Sequence, residues 1–221
     1  MTVATASPWH VKWPHLLQKT LDEMSARFPG LQSAWREGRL EFTGRLTIAD
    51  QKGELGSFDI RIAIPDQYPD TLPLVFETSK RIPRISRRHI YPDGSCCVGT
   101  ELDLWVSQDE TTSLADFAES VVVPYFVGQL LVEEGAPWPQ GERAHGRDGI
   151  WQSLLILTQT HSRGVALRIL RLLENPKPPG QSPCPCGNGK RLRDCCSVKI
   201  RKLQESVTPK RASKLLSQLM D

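Results

Sequence analysis

Residues 39–77, RLEFTGRLTIADQKGELGSFDIRIAIPDQYPDTLPLVFE, decide the fold class. Two runs place apolar residues on alternate positions: Leu40, Phe42, Leu46 and Ile48, then Phe58, Ile60, Ile62 and Ile64. A period of two is that of a strand with one face buried. KGELG at 52–56 makes a turn between the runs, and prolines frame a third strand at Leu74–Phe76. Together these predict a meander of antiparallel strands.

Upstream the period changes. His15 to Pro29 carries Leu17, Leu21, Met24 and Phe28 at helical spacing, and Pro29-Gly30 ends the helix. Leu31 to Arg36 reads as helix or loop. Downstream, 113–135 is a long helical stretch with Ser113 as N-cap, a break or kink at Pro124 and a stop at Gly135. A loop over 136–149 leads to further helix at 150–159 and 165–174. Helices segregated from an antiparallel sheet make an α+β fold. NPKPPGQSP, residues 175–183, is a proline-rich linker. It separates a main domain over 1–174 from a cysteine-rich motif at 184–200 and a basic tail at 201–221, where SKLLSQLM predicts a terminal helix. The sequence has no internal repeat.

The 221 residues are 39% hydrophobic and 24% charged, the composition of an ordinary soluble globular protein. The net charge of +3 is too small to imply nucleic acid. The excess sits at the end, where Lys and Arg clearly outnumber Asp and Glu from Lys190 to Lys214. The first residues lack the apolar core of a signal peptide, and the longest apolar run, VVVPYFVGQLLV, is short for a membrane span and contains Pro124. The expected location is the cytoplasm, where six cysteines point to metal or catalysis before disulfides.

Four of the six stand as C-x-C-x8-C-C: Cys184, Cys186, Cys195 and Cys196. Two close pairs across a loop containing Gly187 and Gly189 can converge on one tetrahedral zinc ion, which would supply most of the folding free energy of so small a motif. The competing reading is a pair of disulfides. CPCGNGKRLRDCC resembles the SEC-C zinc motif, which ends the SecA translocation ATPase and is appended to many unrelated bacterial proteins. The resemblance implies a structural zinc with a closed coordination shell. The basic residues Lys190, Arg191, Arg193, Lys199, Arg201 and Lys202 would face an acidic partner or form a solvated tail.

The other two cysteines, Cys96 and Cys97, are adjacent and follow the turn PDGS at 92–95. On an extended backbone neighbouring side chains alternate faces, so one points inward and the other reaches solvent. A disulfide between them would be strained, and no ligands lie at metal spacing beside them. The order of elements here, with YPDTLPLVFE, a turn at His89, GSCCV and then Trp105, resembles the ubiquitin-conjugating enzyme fold over about residues 16–151. The resemblance makes Gly94 the turn glycine, Cys96 a buried position and Cys97 the nucleophile. GQLLVEEGAPWPQGERAHGRDGI, residues 128–150, is similar to prokaryotic ubiquitin-conjugating-like proteins of short type II CBASS antiphage operons. That implies a thioester between Cys97 and the C-terminus of a protein carrier, namely a cGAS/DncV-like nucleotidyltransferase. The acyl group then passes to an amine of an acceptor protein, and an activating enzyme is a further candidate partner.

A thiol with pKa near 8.5 is about 3% thiolate at pH 7, enough for so strong a nucleophile. The family's oxyanion donor, an asparagine after its histidine, is missing. The matching residues are His89, Ile90 and Tyr91, and the only asparagines are Asn175 and Asn188. Loss of one such donor costs about 3–4 kcal/mol of transition-state stabilisation. His89 is the favoured substitute, with a backbone N–H near Gly94 or the side chain of His145 as alternatives. Two other functions compete: a binding module of the same fold without catalysis, and a nucleic-acid-associated protein acting through its basic tail. For Cys97 the bland alternative is a buried apolar cysteine.

Overall fold

The alternating runs form the centre of a four-stranded antiparallel sheet in the computed structural model, which describes residues 7–107, 112–139, 141, 144 and 146–220. Strands β1 (Leu31–Arg36), β2 (Arg39–Asp50), β3 (Gly53–Ala63) and β4 (Leu74–Glu77) pair in sequence order. The expected three-strand meander therefore gains a strand at its start, where helix or loop was expected. In β1 only Leu31 is buried, so the segment carries no alternation to read. Its strand character comes from the two-residue turn at Glu37 and Gly38, whose φ values of 50° and 77° suit a tight hairpin. Gly44 on β2 has a φ of 151° and a Cβ there would lie 2.1 Å from the carbonyl oxygen of Gly30, so the strand tolerates only glycine at that crossing.

Mixed α and β elements divide into two compact units, Met1–Val98 with Glu110–Gly141, and Gly99–Asp109 with Glu142–Asp221. In the first, helices α1 (Trp9–Lys12) and α2 (Pro14–Arg27) precede the sheet, and helices α4 (Leu114–Phe117) and α5 (Val123–Glu133) follow it. Phe58, Ile60 and Ile62 of β3 are buried, and the Phe58 ring meets Phe126 of α5 at 4.7 Å between centroids. Each such side chain contributes about 1.5–3 kcal/mol on burial. Between α4 and α5, residues Ala118–Val122 form a π-turn, so the chain runs helically from Leu114 to Glu133 without the break expected at Pro124. The wider turn accommodates a proline that lacks an N–H and would crowd the carbonyl four residues back. By length and composition this 20-residue stretch is apolar enough to cross a membrane, and half of its most apolar window is buried within the protein.

The second unit is helical: α3 (Glu101–Ser107), α6 (Gly146–Leu157), α7 (Arg163–Leu173), α8 (Ser197–Ser206) and α9 (Pro209–Met220). In α7, residues Ala166, Ile169, Leu170 and Leu173 are buried; in α9, Ala212, Leu215, Leu216 and Leu219. Both sets follow the i, i+3, i+4, i+7 spacing of a single apolar stripe, and the two helices pack together. The residues beyond 175–183 therefore belong to one core with α6 and α7, and the compact units do not follow the domain boundaries expected from the sequence. The linker itself has no helix or strand, but Arg168 Nε donates to the carbonyl of Pro185, and Lys199 Nζ to that of Thr158. The expected tail over 201–221 contains the end of α8 and the terminal helix α9, with Leu203, Val207 and Leu215 buried, so it is not a solvated appendage.

Ser113 caps α4 as expected from the sequence, in a full capping box. Its hydroxyl accepts from the Asp116 N–H, while the Asp116 carboxylate accepts from the Ser113 N–H. Arg27, which also bonds Asp116, is the main cause holding that carboxyl down at about 2, with the Ser113 donors next. A depressed folded pKa gives stability that is present above the unfolded value of about 3.9 and is lost as pH falls toward 2. Asp116 is half-exposed, so Asp116→Asn is expected to cost about 0.5–1 kcal/mol at pH 7. Urea midpoints should show that difference shrinking between pH 5 and pH 2; a difference that is constant with pH would contradict the assignment.

Candidate functional site

Residues 89–97 form a tight hairpin at the edge of the sheet. The N–H of Gly94 donates to the carbonyl of Tyr91 across the turn, that of Tyr91 to Ser95, and that of Cys97 to His89 at 2.7 Å. Asp93 fixes the turn by accepting from both the N–H and the hydroxyl of Ser95. Ile90 and Cys96 pair directly across the hairpin, and Ser95 pairs with Phe76 of β4. Two further main-chain bonds dock it on that strand: the N–H of Cys96 donates to Val75 at 2.7 Å, and that of Glu77 to Gly94.

This double pairing decides which cysteine faces which way. Ile90 and Cys96 are both buried, so Tyr91 and Cys97 share the opposite face as diagonal neighbours. Cys97 is half-buried and Tyr91 is 45% exposed. Burial first, and after it the charge of Cys97 and hydrogen bonding toward it, hold the Tyr91 phenol above its ordinary range. It therefore remains a donor at neutral pH. Burial pushes the Cys96 thiol up to about 12, which leaves it protonated and unreactive near pH 7.

The hairpin is braced from two sides. From α5, the Tyr125 hydroxyl donates to the carbonyl of His89 at 2.9 Å, and the buried Gln129 amide donates to that of Arg88 at 2.6 Å and accepts from Arg88 Nε. Tyr125 and Gln129 are one helical turn apart, so one face of α5 reads this segment. From the sheet, the buried Glu77 carboxylate accepts from the Ser79 and Arg81 N–H groups and pairs with Arg84 at 3.0 Å. Arg84 also donates to the carbonyl of Glu77, and a Cβ on Gly94 (φ 89°) would strike both groups at 2.9 Å. Glycine is thus required at the turn on two counts.

His89, the expected oxyanion or orienting group, takes a left-handed conformation (φ 47°). Its side chain is buried, with its ring 4.4 Å from that of Trp138. It meets Cys97 through its main-chain carbonyl. The backbone N–H groups from Gly94 to Cys97 are all engaged, with Tyr91, Asp93, Val75 and His89 respectively. His145 lies outside the described residues. Sequence reading passed over Tyr91 and Tyr125. The signal for Tyr91 was its place three residues before the turn glycine Gly94, where hairpin register sets it diagonally beside Cys97; nothing local pointed to Tyr125.

The four C-terminal cysteines converge in the second unit. Their sulfurs all lie within 4.8 Å of one another, with 3.3 Å between Cys184 and Cys186 and 3.6 Å for Cys186–Cys195 and Cys195–Cys196. Tetrahedral thiolates at about 2.3 Å from zinc stand roughly 3.8 Å apart, whereas a disulfide needs about 2.05 Å. The four thiols can hold a metal ion, and their spacing is compatible with zinc. Gly187 and Gly189 adopt φ of 79° and 77° to turn the loop, Asn188 Nδ2 donates to Cys195 Sγ, and Cys196 caps α8. Burial opposes ionisation of Cys184, yet hydrogen bonds from Cys186, Cys196 and Cys195 bring its thiol down to about 7. A thiol cluster that shares negative charge favours a cation at its centre.

No protein-family model matches the chain, and no curated protein matches it either.

Brief alkylation of the native protein with iodoacetamide, followed by peptide mass spectrometry, is expected to label Cys97 at least about tenfold faster than Cys96, since the thiolate is the reacting form. Equal labelling of the pair would contradict the inward orientation of Cys96.

Proposed function

We propose that the chain is a ubiquitin-conjugating-like acyl carrier in antiphage defence, with Cys97 as its nucleophile. The observation that carries the reading is the unequal environment of the cysteine pair. Cys97 stands partly exposed on the outward face of a hairpin braced by main-chain bonds, while Cys96 behind it is buried and protonated. Two macromolecules must reach such a nucleophile in succession, which an edge hairpin permits. The order of helix, antiparallel meander, histidine turn, cysteine and apolar helix supports a ubiquitin-conjugating-like fold. The carrier is the C-terminus of a cGAS/DncV-like nucleotidyltransferase, delivered with or without a separate activating enzyme, and the acceptor is a protein amine.

The cysteine cluster is proposed as a SEC-C zinc site with a role in folding and recruitment. Four thiolates fill a tetrahedral shell and leave no open position for substrate. A nucleic-acid role for the basic end is less supported, because several of its cations act within their own unit. Lys214 pairs with Glu101 at 2.6 Å, Arg211 lies over the Trp105 ring and Lys199 bonds Thr158.

The test is to recover the chain from cells that supply the nucleotidyltransferase and any activating enzyme, and to run non-reducing and reducing gels. Wild type and Cys96→Ser should carry an adduct that thiols remove, and Cys97→Ser a thiol-stable ester. Equal adducts in both variants, or none in any, would favour the competing reading of a catalytically inactive binding module. For the second site, elemental analysis should find one zinc per chain, abolished in a Cys184→Ser, Cys195→Ser double variant. A metal-free wild-type chain that is fully folded, with four titratable thiols in the cluster, would sink the zinc assignment.

A further inference from the structure

Among the described residues, Tyr91 is the side chain that the hairpin register places beside Cys97 with a proton to donate. A thioester carbonyl that is attacked becomes a tetrahedral oxyanion, and a donor within reach is worth about 10²–10³ in rate. The main-chain N–H groups of residues 94–97 are spent on the turn, on Asp93, on β4 and on His89. The His89 ring is buried beside Trp138. Tyr91 instead sits on the outward face with Cys97, fixed there by the hairpin register, with half of its surface open to an incoming substrate.

We propose, resting on the reading of Cys97 as a thioester-forming nucleophile, that Tyr91 is a catalytic residue whose phenol O–H donates to the oxyanion formed on the Cys97-bound carbonyl, the task the family gives to asparagine. In loading, the Cys97 thiolate attacks the carbonyl carbon of an incoming thioester. A new C–S bond forms, the carbonyl π pair moves onto oxygen, and Tyr91 holds that oxygen. Collapse restores the carbonyl and expels the donor thiolate. In discharge the acceptor nitrogen forms the C–N bond and gives its surplus proton to solvent. Tyr91 holds the oxyanion again, and Cys97 leaves as thiolate with the C–S electron pair. The carbonyl oxygen is two bonds from the Cys97 sulfur, and Tyr91 is the diagonal neighbour of Cys97 on the same face of the hairpin, so a swing of the ring brings its hydroxyl to that oxygen. Tyr91 keeps its proton throughout and acts as a donor, not as an acid. Its own turn is locked by Asp93, which limits the reorganisation needed at the moment of reaction.

The experiment uses the full chain and a mercaptoethanesulfonate thioester of a short glycine-ended peptide, which can acylate a cysteine without an activating enzyme. Intact-mass spectrometry follows loading, then discharge to hydroxylamine, relative to the free peptide thioester. Wild type should load one acyl group, absent from Cys97→Ser. Tyr91→Phe, which removes only the hydroxyl, should keep the wild-type melting midpoint but discharge about 10²–10³-fold more slowly. Wild-type discharge by Tyr91→Phe overturns the role of Tyr91 and leaves Cys97 as nucleophile standing. A wild-type chain that never becomes acylated overturns the thioester reading and this inference with it.

Discussion

The first unit depends on how the 89–97 hairpin is sewn to the edge of the sheet. The Cys96 N–H bonds Val75, the Glu77 N–H bonds Gly94, and Ser95 pairs with Phe76. A strand has a strict two-residue side-chain period, so a slip of one residue would exchange the two cysteines between core and solvent. Glu77 enforces the register from beneath. It is a buried carboxylate whose partners are the Ser79 and Arg81 N–H groups and Arg84, and a buried charge is tolerable only with such partners in place. Glycine at 94 lets the turn sit against this cluster.

From that register the chemistry follows in steps. Cys96 becomes a small apolar core residue with a protonated thiol, and Cys97 the accessible one. The same hairpin engages the main-chain N–H groups of residues 94–97. Sheet docking thus places Cys97 on the outward face and engages those four donors in one move, so on the proposed thioester reading the demand for a donor falls on side chains of that face. Tyr91 meets it by position. Tyr125 and Gln129 from α5 hold the other end of the hairpin through carbonyl oxygens, so their contribution is to geometry.

Much of this was legible in the sequence because period and turn chemistry are local. Phe58, Ile60 and Ile62 announce a buried strand, Ser113 an N-cap, and C-x-C-x8-C-C a convergent thiol cluster. What escaped reading depends on contacts distant in the chain. Strand β1 has one buried residue and no pattern of its own; it exists because β2 pairs with it. Residues 201–221 read as a basic tail because their charged residues are mostly Lys and Arg, while the apolar stripes of α8 and α9, Ile200, Leu203, Leu215 and Leu219, matter only once α6 and α7 are beside them. Pro124 promised a kink that a π-turn absorbs. His89 was named for its chemistry; its ring is buried beside Trp138, and its carbonyl accepts from the Cys97 N–H.

The central claim is the register of residues 95–97, and amide hydrogen exchange measured by NMR reads it directly. If the hairpin is docked as described, the N–H groups of Cys96 and Cys97, bonded to Val75 and His89, exchange as slowly as those in the middle of β2 and β3. Exchange of both at the rate of an open loop would contradict it, since nothing would then hold Cys96 inward and Cys97 beside Tyr91.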